Sequence, residues 1–535
     1  MNTNSLNRAS NAVPKVLETE VLIIGGGVTG TGIMRDLALR GIRSILIDKR
    51  DLCAGASGGN HGLLHSGGRY VSTDLEAAIE CRQEGALLKH LAPQCIEATG
   101  GLFVAVKDDD SAFADAFPTL CAQAGIDCEE LELAQAKQLE PLLSGDLVRA
   151  MKVPDATVDP FHLAQLHVAH AAQLVGSVYL PHTEVSGFSS VDGEIRAAQC
   201  ADHRNQTTLT IRARQFVNAA GAWSMGVARL AGCQDVHLLY AKGTLLVTTD
   251  RLTHHVVNRL RPPGDGDILV PGGTVSLLGT TSSRVDDLER VGPTVAEVDR
   301  NIREGAAMIP ALAQARYIRA FSRVRPLLQA GAGASDRAAT RGFALLDHQA
   351  QGLGNFCTIT GGKLTTYRLM AEKAADLVAQ RLGNHQPCRT AQVPLPDDET
   401  CSWSEPSSAP RHWHAKRDPD DLILCECEML PQSAIAQIFD NSTGVDAQPT
   451  LESIALRSRA GKGPCQGSFC GIRIGSYLYD QGHYHDATGL THLRDFFNER
   501  FKGQRSVSWG QQAAQLELAE ALHCGLLGLD KLEQS

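Results

Sequence analysis

The apolar residues fall in short uninterrupted runs rather than long alternating stretches. Val21–Ile24 is one such run, the pattern of a strand covered on both faces. Gly25-x-Gly27-x-x-Gly30 follows, then a helical stretch, then a second apolar run, Ser44–Ile47, ending in Asp48. In this order the first glycine makes a tight turn, the second admits close backbone approach to a pyrophosphate, and the third lets helix and strand pack closely. The helix N-terminus offers N–H groups to phosphate. Asp48, 18 residues after Gly30, is spaced to accept from a ribose hydroxyl. Two further segments share the strand habit. Arg214–Ser224 reads as a strand ending in a turn of small residues. Asn355–Val378 reads as a strand, a Gly361–Gly362 turn and a helix opened by those glycines. The repeated strand–helix order predicts an α/β fold with a dinucleotide site.

The pattern changes late in the chain. From 387 to 421 it is rich in Pro, Ser and Asp and predicts a linker. Beyond 476 two amphipathic stretches, "LTHLRDFFNERF" and "QQAAQLELAEALHCGLLGL", predict helices. No apolar run approaches the roughly 20 residues of a membrane span, and the polar N-terminus lacks the apolar stretch of a secretory signal. A net charge of −10 gives no electrostatic support for nucleic-acid binding. The chain is expected in the cytoplasm, where its 15 cysteines stay mostly reduced.

The motif alone does not choose between FAD and NAD. A second glycine-rich stretch, "CAGASGGNHGLLHSGGRY", bears on it: in FAD enzymes of the amino-acid-oxidase type such a segment runs along the diphosphate toward the flavin ring. Ser57 is a phosphate candidate there, and His61 and His65 lie near the expected ring position. A histidine titrates in the range useful for proton transfer.

"HGLLHSGGRY", "VPDATVDPF", "NAAGAW", "AKGTLLV", "VRPLL" and "ITGGKLTTYRLMAE" occur in this order. Together they resemble the FAD-dependent glycerol-3-phosphate dehydrogenases and, with the cysteines described below, the A-subunit family of the bacterial anaerobic enzymes. The resemblance runs from about Thr19 to the final helices. It implies an FAD-binding Rossmann-like domain of the amino-acid-oxidase/glutathione-reductase type with a mixed-sheet substrate domain, a small helical iron–sulfur domain and C-terminal helices. The expected boundaries are 17–386 for the discontinuous oxidoreductase, 387–421 for the linker, 422–475 for the iron–sulfur domain and 476–535 for the helical end. Within the oxidoreductase, 17–105, 150–235 and 336–386 are assigned to the FAD part.

The implied reaction is oxidation of sn-glycerol 3-phosphate to dihydroxyacetone phosphate, with hydride passing from C2 to flavin N5. A phosphate monoester near its dianion calls for forked arginine donors. The resemblance puts Arg69 and Arg325 at substrate, with Arg341 a weaker candidate. Lys363 would stabilise charge developing at the flavin. His65 joins the catalytic set, with the base left open between His61, His65 and water. Gly25, Gly27, Gly30, Asp48, Ser57, Gly361, Gly362 and Thr365 form the expected cofactor set; Thr366 could contact the phosphate or flavin as well. Lys242 is a further pocket candidate, His254 and His255 have no evident purpose, and Arg43, Arg50 and Arg323 read as solvated surface charge. The same fold also serves amino-acid and 2-hydroxy-acid dehydrogenases, which bind a carboxylate instead. A flavin-inert redox sensor is the non-enzymatic alternative.

Cys425, Cys427, Cys465 and Cys470 stand at C-x-C and C-x4-C spacing. A reducing compartment disfavours disulfides. Structural zinc favours pairs with two to four intervening residues, which C-x-C fits poorly. Four thiolates can hold an iron–sulfur cluster. This region resembles bacterioferritin-associated ferredoxin, which implies a [2Fe–2S] cluster on these four residues, although that ferredoxin has C-x2-C as its second pair. The resemblance further implies two partners, a flavin-bearing B subunit and a membrane-associated iron–sulfur C subunit. Electrons would leave through them to the quinone pool, and through them alone the chain would sit on the inner face of the cell membrane.

Overall fold

The strand Lys15–Ile24 lies inside a parallel array, with Ser44–Ile47 on one side and Thr207–Asn218 on the other. That position explains why Val21–Ile24 is apolar without alternation: both faces are covered. The helices Val28–Leu39, Pro160–Val175 and Tyr367–Arg381 supply one cover, through Ile33, Leu37, Ala371 and Val378. Ile195, Phe216, Val227 and Phe356 form the other core. The chain is described here by a computed structural model over residues 15–328, 342–441 and 449–532.

This first sheet has eight strands. Its main path runs Thr183–Val191, Glu194–Asp202, Thr207–Asn218, Lys15–Ile24, Ser44–Ile47, Val178–Leu180. Phe356–Gly361 joins it in parallel beside Thr207–Asn218, and Phe343–Asp347 pairs antiparallel with Phe356–Gly361. The carboxyl end of the first strand, where connections diverge to both sides, is the crevice where such sheets bind ligands.

A second, nine-stranded sheet is mixed. Val256–Arg259 pairs in parallel with Gly101–Val106, whereas the other pairings are antiparallel. Its long strands Leu238–Thr248 and Tyr317–Leu328 set Ala241 opposite Arg325. Gly101–Val106 and Leu147–Val153 belong to this sheet, so the crossing points fall slightly inside the expected boundaries. Gly101–Val106 is buried throughout, and an uninterrupted apolar run carries no mark of which sheet it joins.

The four cysteines lie in a separate helical unit. Its core joins Ile435, Leu478, Tyr484, Phe496, Phe497 and Phe501. The segment expected as a linker is packed rather than loose. Its latter half forms Glu399–Ser404 and Ser408–Lys416, and Trp403 enters that core with its indole N–H donating to Gln437 at 2.7 Å. A composition rich in Pro, Ser and Asp specifies irregular backbone; it does not prevent an embedded Trp from packing. Among the described residues, no helix is long and apolar enough to cross a membrane.

The helical unit is fastened to the nucleotide domain by one forked pair. Arg457 donates to both oxygens of Asp51, at 2.6 and 2.8 Å, and Tyr179 Oη adds a third hydrogen bond at 3.1 Å. Asp51 is 2% exposed. Burial raises its carboxyl, and the Arg457 guanidinium more than offsets this, holding it well below the usual range. Removing one partner of a buried pair strands the other charge, at a cost of about 3–5 kcal/mol. Arg457→Ala is therefore expected to destabilise the C-terminal unit by about that free energy, read as a lowered urea midpoint at unchanged m-value. In the wild type the contribution of Asp51, whose folded pKa is depressed, is complete above the ordinary carboxylate range and is lost only as pH falls through its lowered value.

Candidate functional site

Gly25 sits at φ +117°, and a Cβ there would meet the Ala219 carbonyl oxygen at 2.5 Å. Gly30 faces the Gly25 carbonyl oxygen directly, with no room for a side chain. Helix Val28–Leu39 therefore starts against the strand end, with Gly27 at its N-cap. Ser57 Oγ accepts from Val28 N at 3.1 Å, so the second glycine-rich stretch closes over this turn. Asp48 accepts from Gly26 N and Arg50 N, each at 2.7 Å. Burial raises its carboxyl, and these two N–H donors oppose the shift.

Gly25, Gly27, Asp48 and Ser57 line one cavity of about 570 Å³, and His61, His65, Arg69, Arg325, Gly361, Gly362 and Lys363 line the same one. A nucleotide end and a polar, cationic end are thus continuous. Gly30 and Thr365 act from behind the wall. Gly30 packs helix on strand, and Thr365 Oγ1, fully buried, accepts from His65 N at 3.2 Å. The Gly361–Gly362 turn does not itself open a helix: a 3₁₀ turn, Leu364–Thr366, intervenes, and the α-helix begins at Tyr367. The Thr366 hydroxyl donates to Lys363 O at 3.3 Å within that turn.

At the polar end, Arg69 is ion-paired to Asp267 at 2.8 Å, while its Nη1 is buried and has no hydrogen-bond partner among the described residues. Arg325 donates to Thr281 O at 3.3 Å and to Thr280 Oγ1. Lys363 lies 5.3 Å from the centre of the Tyr70 ring and 3.9 Å from Glu80. His65 Nε2 is 3.4 Å from Tyr70 Oη. His61 differs: its Nε2 is buried with no partner among the described residues, and burial, Arg325 and Arg69 lower its pKa to about 3. It is a neutral imidazole held beside two guanidiniums.

Other candidates are placed elsewhere. Lys242 is in a buried ion pair with Glu297 at 2.8 Å and donates to Gly292 O, outside the cavity. Its partner lies 55 residues away, beyond the reach of any local pattern. Glu140 accepts from His254 N, His255 N and the His255 ring. Arg341 lies outside the described residues. Arg43 is exposed as expected, but Arg50 is not a free surface charge: it lies 4.8 Å from the Trp223 ring centre and lines the nucleotide end. Lys49 flanks the same ring at 4.7 Å, and Glu289 binds both Lys49 and the indole N–H. Arg323 is also inside. With Arg319 it lines a second cavity of about 1260 Å³, which shares Asn60 and His61 with the first and reaches Lys462 and Gln466 of the cysteine loop.

Cys425 and Cys470 are buried, Cys465 is half-buried and Cys427 is exposed. Their thiols meet in the order Cys425, Cys470, Cys465, Cys427. Backbone N–H groups of Glu428 and Gly461 point at Cys425, and those of Gly467 and Phe469 at Cys465. The Cys470 hydrogen bond draws Cys465 down to about 5, and those to Cys425 and Cys465 push Cys470 up. A Cβ at Gly463 would meet Cys427 Cβ at 2.5 Å, so this approach requires glycine. The set has the thiols and amide donors that a four-thiolate centre uses.

The FAD dependent oxidoreductase model matches residues 20–377. The A subunit of the anaerobic glycerol-3-phosphate dehydrogenase of Escherichia coli (strain K12) is 40% identical over 534 residues, covering 96% of this chain and 97% of the relative. This chain belongs to the anaerobic glycerol-3-phosphate dehydrogenase A-subunit family. The Haloferax volcanii A1 subunit is a 38% identical member, with 96% of this chain and 91% of that one covered. The fold of this A-subunit family member is also that of solved flavoproteins. Glycerol-3-phosphate dehydrogenase from Bacillus halodurans, complexed with FAD, superposes with TM-score 0.66 at 20% identity, over 92% of this chain and 96% of the other. L-α-glycerophosphate oxidase from Mycoplasma pneumoniae, with FAD bound, gives 0.56 at 20%, over 68% and 94%. Membership makes the chain an FAD-dependent oxidoreductase, and its glycine turn, Asp48 and continuous cavity suit that cofactor. Gly30→Ala is expected to abolish flavin retention, read as the ratio of flavin to protein absorbance after gel filtration, because the added methyl has only backbone to displace.

Proposed function

We propose that this chain oxidises sn-glycerol 3-phosphate to dihydroxyacetone phosphate and delivers the electrons through its four-cysteine domain to partner subunits. The observation that carries the reading is the buried Nη1 of Arg69, which has no hydrogen-bond partner among the described residues. It stands in a cavity that also holds Arg325 and a neutral His61. FAD, when bound, supplies the hydride acceptor. Arg69 and Arg325 hold the phosphate by charge-assisted donors. His61 Nε2 takes the C2 hydroxyl proton. It suits that task better than His65, whose ring nitrogen already faces Tyr70 Oη. A bound phosphate dianion offsets the guanidinium charge that depresses His61, so its affinity for a proton rises when substrate is present. Lys363 holds positive charge at the same wall and would stabilise the negative charge that develops on the hydride acceptor.

A [2Fe–2S] cluster on Cys425, Cys427, Cys465 and Cys470 would supply one-electron carriage. The Cys470 thiol meets those of both Cys425 and Cys465, and Cys465 meets Cys427, so the four sulfurs form one contiguous ligand set that supports this reading. The relatives are named as A subunits, which implies companions. A flavin-bearing B subunit and a membrane-associated iron–sulfur C subunit would link the chain to quinone and hold it at the inner face of the cell membrane.

Anaerobic addition of sn-glycerol 3-phosphate is expected to bleach the flavin band; a flavin left oxidised overturns the substrate. Arg69→Ala should raise KM about 10–100-fold, the loss of about 1.5–3 kcal/mol of charged hydrogen bonding, with flavin content unchanged. Asp267 keeps Arg261 as its partner at 2.7 Å, so the fold tolerates the change. His61→Gln should lower kcat about 10²–10⁴-fold. Because His61 is neutral down to about pH 3, the acid limb of kcat/KM is expected near pH 6, from the second ionisation of the phosphate, with no histidine limb above it. In the substrate-reduced protein, Cys465→Ser should remove the low-temperature EPR signal of the cluster while the flavin still bleaches.

A further inference from the structure

Cys233 and Asp235 lie in the loop after helix Ser224–Leu230, and His348 begins the 3₁₀ turn that follows strand Phe343–Asp347. Their Sγ, a carboxylate oxygen and a ring nitrogen lie within 4.8 Å of one another. Cys233 is 1% exposed and His348 fully buried. His348 Nδ1 stands 3.3 Å from Asp235 Oδ1, a long ion-pair contact, and neither atom has any other hydrogen-bond partner among the described residues. These two atoms and the Cys233 sulfur are thus gathered around one point, with the histidine–carboxylate contact longer than a typical charged hydrogen bond.

That separation suits a shared ion. Ligands about 2.0–2.2 Å from a tetrahedral zinc stand roughly 3.3–3.5 Å apart. The outer groups suit it too. His348 Nε2 is 2.9 Å from Thr358 Oγ1, which can take its N–H and leave Nδ1 free to bind, and Phe356 stacks on the ring at 5.0 Å. Asp235 Oδ2 accepts from Gln351 Nε2 at 3.0 Å, leaving Oδ1 for the ion. Metal-binding histidines and carboxylates are ordinarily steadied in this way. Burial, with Asp235 adding, pushes the Cys233 thiol up to about 11, so without metal it keeps its proton.

We propose that Cys233, Asp235 and His348 bind a divalent transition cation of the zinc class, with water completing four-coordination. Binding exchanges the Cys233 thiol proton for the metal and involves no redox change. None of the three residues lines the flavin cavity. The ion would tie the loop before strand Leu238–Thr248 to the edge of the nucleotide sheet, so its role is structural.

The test uses the full-length protein, stripped with EDTA and titrated with zinc sulfate against a chromophoric chelator. Wild type is expected to bind one equivalent more than Cys233→Ser, both keeping the four-cysteine domain. Cobalt should give a wild-type-minus-variant difference spectrum with thiolate-to-cobalt charge transfer. Gln351→Ala alters an exposed side chain outside the coordination sphere. It should weaken binding of that equivalent about 10–100-fold, with flavin content and dehydrogenase rate unchanged. Equal stoichiometry in wild type and Cys233→Ser overturns the proposal. Should Cys233→Ser not fold, unchanged zinc affinity in Gln351→Ala overturns it.

Discussion

A side chain at position 30 would have to occupy the space of the Gly25 carbonyl oxygen, and one at position 25 would press on Ala219. Because both are glycine, helix Val28–Leu39 begins hard against the end of the first strand, and its free N–H groups open on the crevice between diverging strands. The remaining parts of the site are arranged around that closeness. Asp48 receives the Gly26 N–H, Ser57 receives the Val28 N–H, and the loop between them is drawn over the turn. The path from Ser57 then leads through His61 and His65 to Arg69, which brings the nucleotide end and the cationic end into one cavity.

The same loop has a second task. Asp51, three residues beyond Asp48, leaves the nucleotide site and enters the forked pair with Arg457. Asp48 at the cavity wall and the anchor of the helical unit therefore share one short piece of backbone. A second anchor, Glu499 to Arg319 at 3.2 Å, joins that unit to the nine-stranded sheet. The cysteine unit touches both layers of the oxidoreductase, and the larger cavity lies between them.

Features written in local sequence were readable. The glycine turn, Asp48 and the final strand before Gly361 depend on residues close to one another in the chain. The A-subunit resemblance brought Arg69, Arg325 and Lys363 forward, and all three reach the cavity. What escaped depended on distant partners. Lys242 looked available because Glu297 was invisible to any local pattern. Arg50 and Arg323 looked solvated because Trp223 and Ala54, which cover them, come from other strands and loops. Thr365 serves a histidine loop 300 residues away rather than a ligand. The distinction between His61 and His65 rests on which ring nitrogen has a neighbour, and their sequence surroundings are nearly alike. Composition misled at 387–421, where Leu395, Trp403 and Trp413 were the signals of packing.

Strand Tyr317–Leu328 places Arg319, Phe321, Arg323 and Arg325 at alternate positions, which share a face. The first three line the larger cavity and the fourth the smaller. From Arg319 to Arg325 the strand spans about 20 Å at roughly 3.3 Å per residue, and its pairing with Leu238–Thr248 is unbroken over that length. A backbone so paired moves as a stiff rod. One end is gripped by Glu499 of the C-terminal unit; the other presents a guanidinium to the smaller cavity. A tilt of the C-terminal unit is consequently a displacement of that guanidinium, and the seating of the four-cysteine unit is mechanically linked to the shape of the smaller cavity.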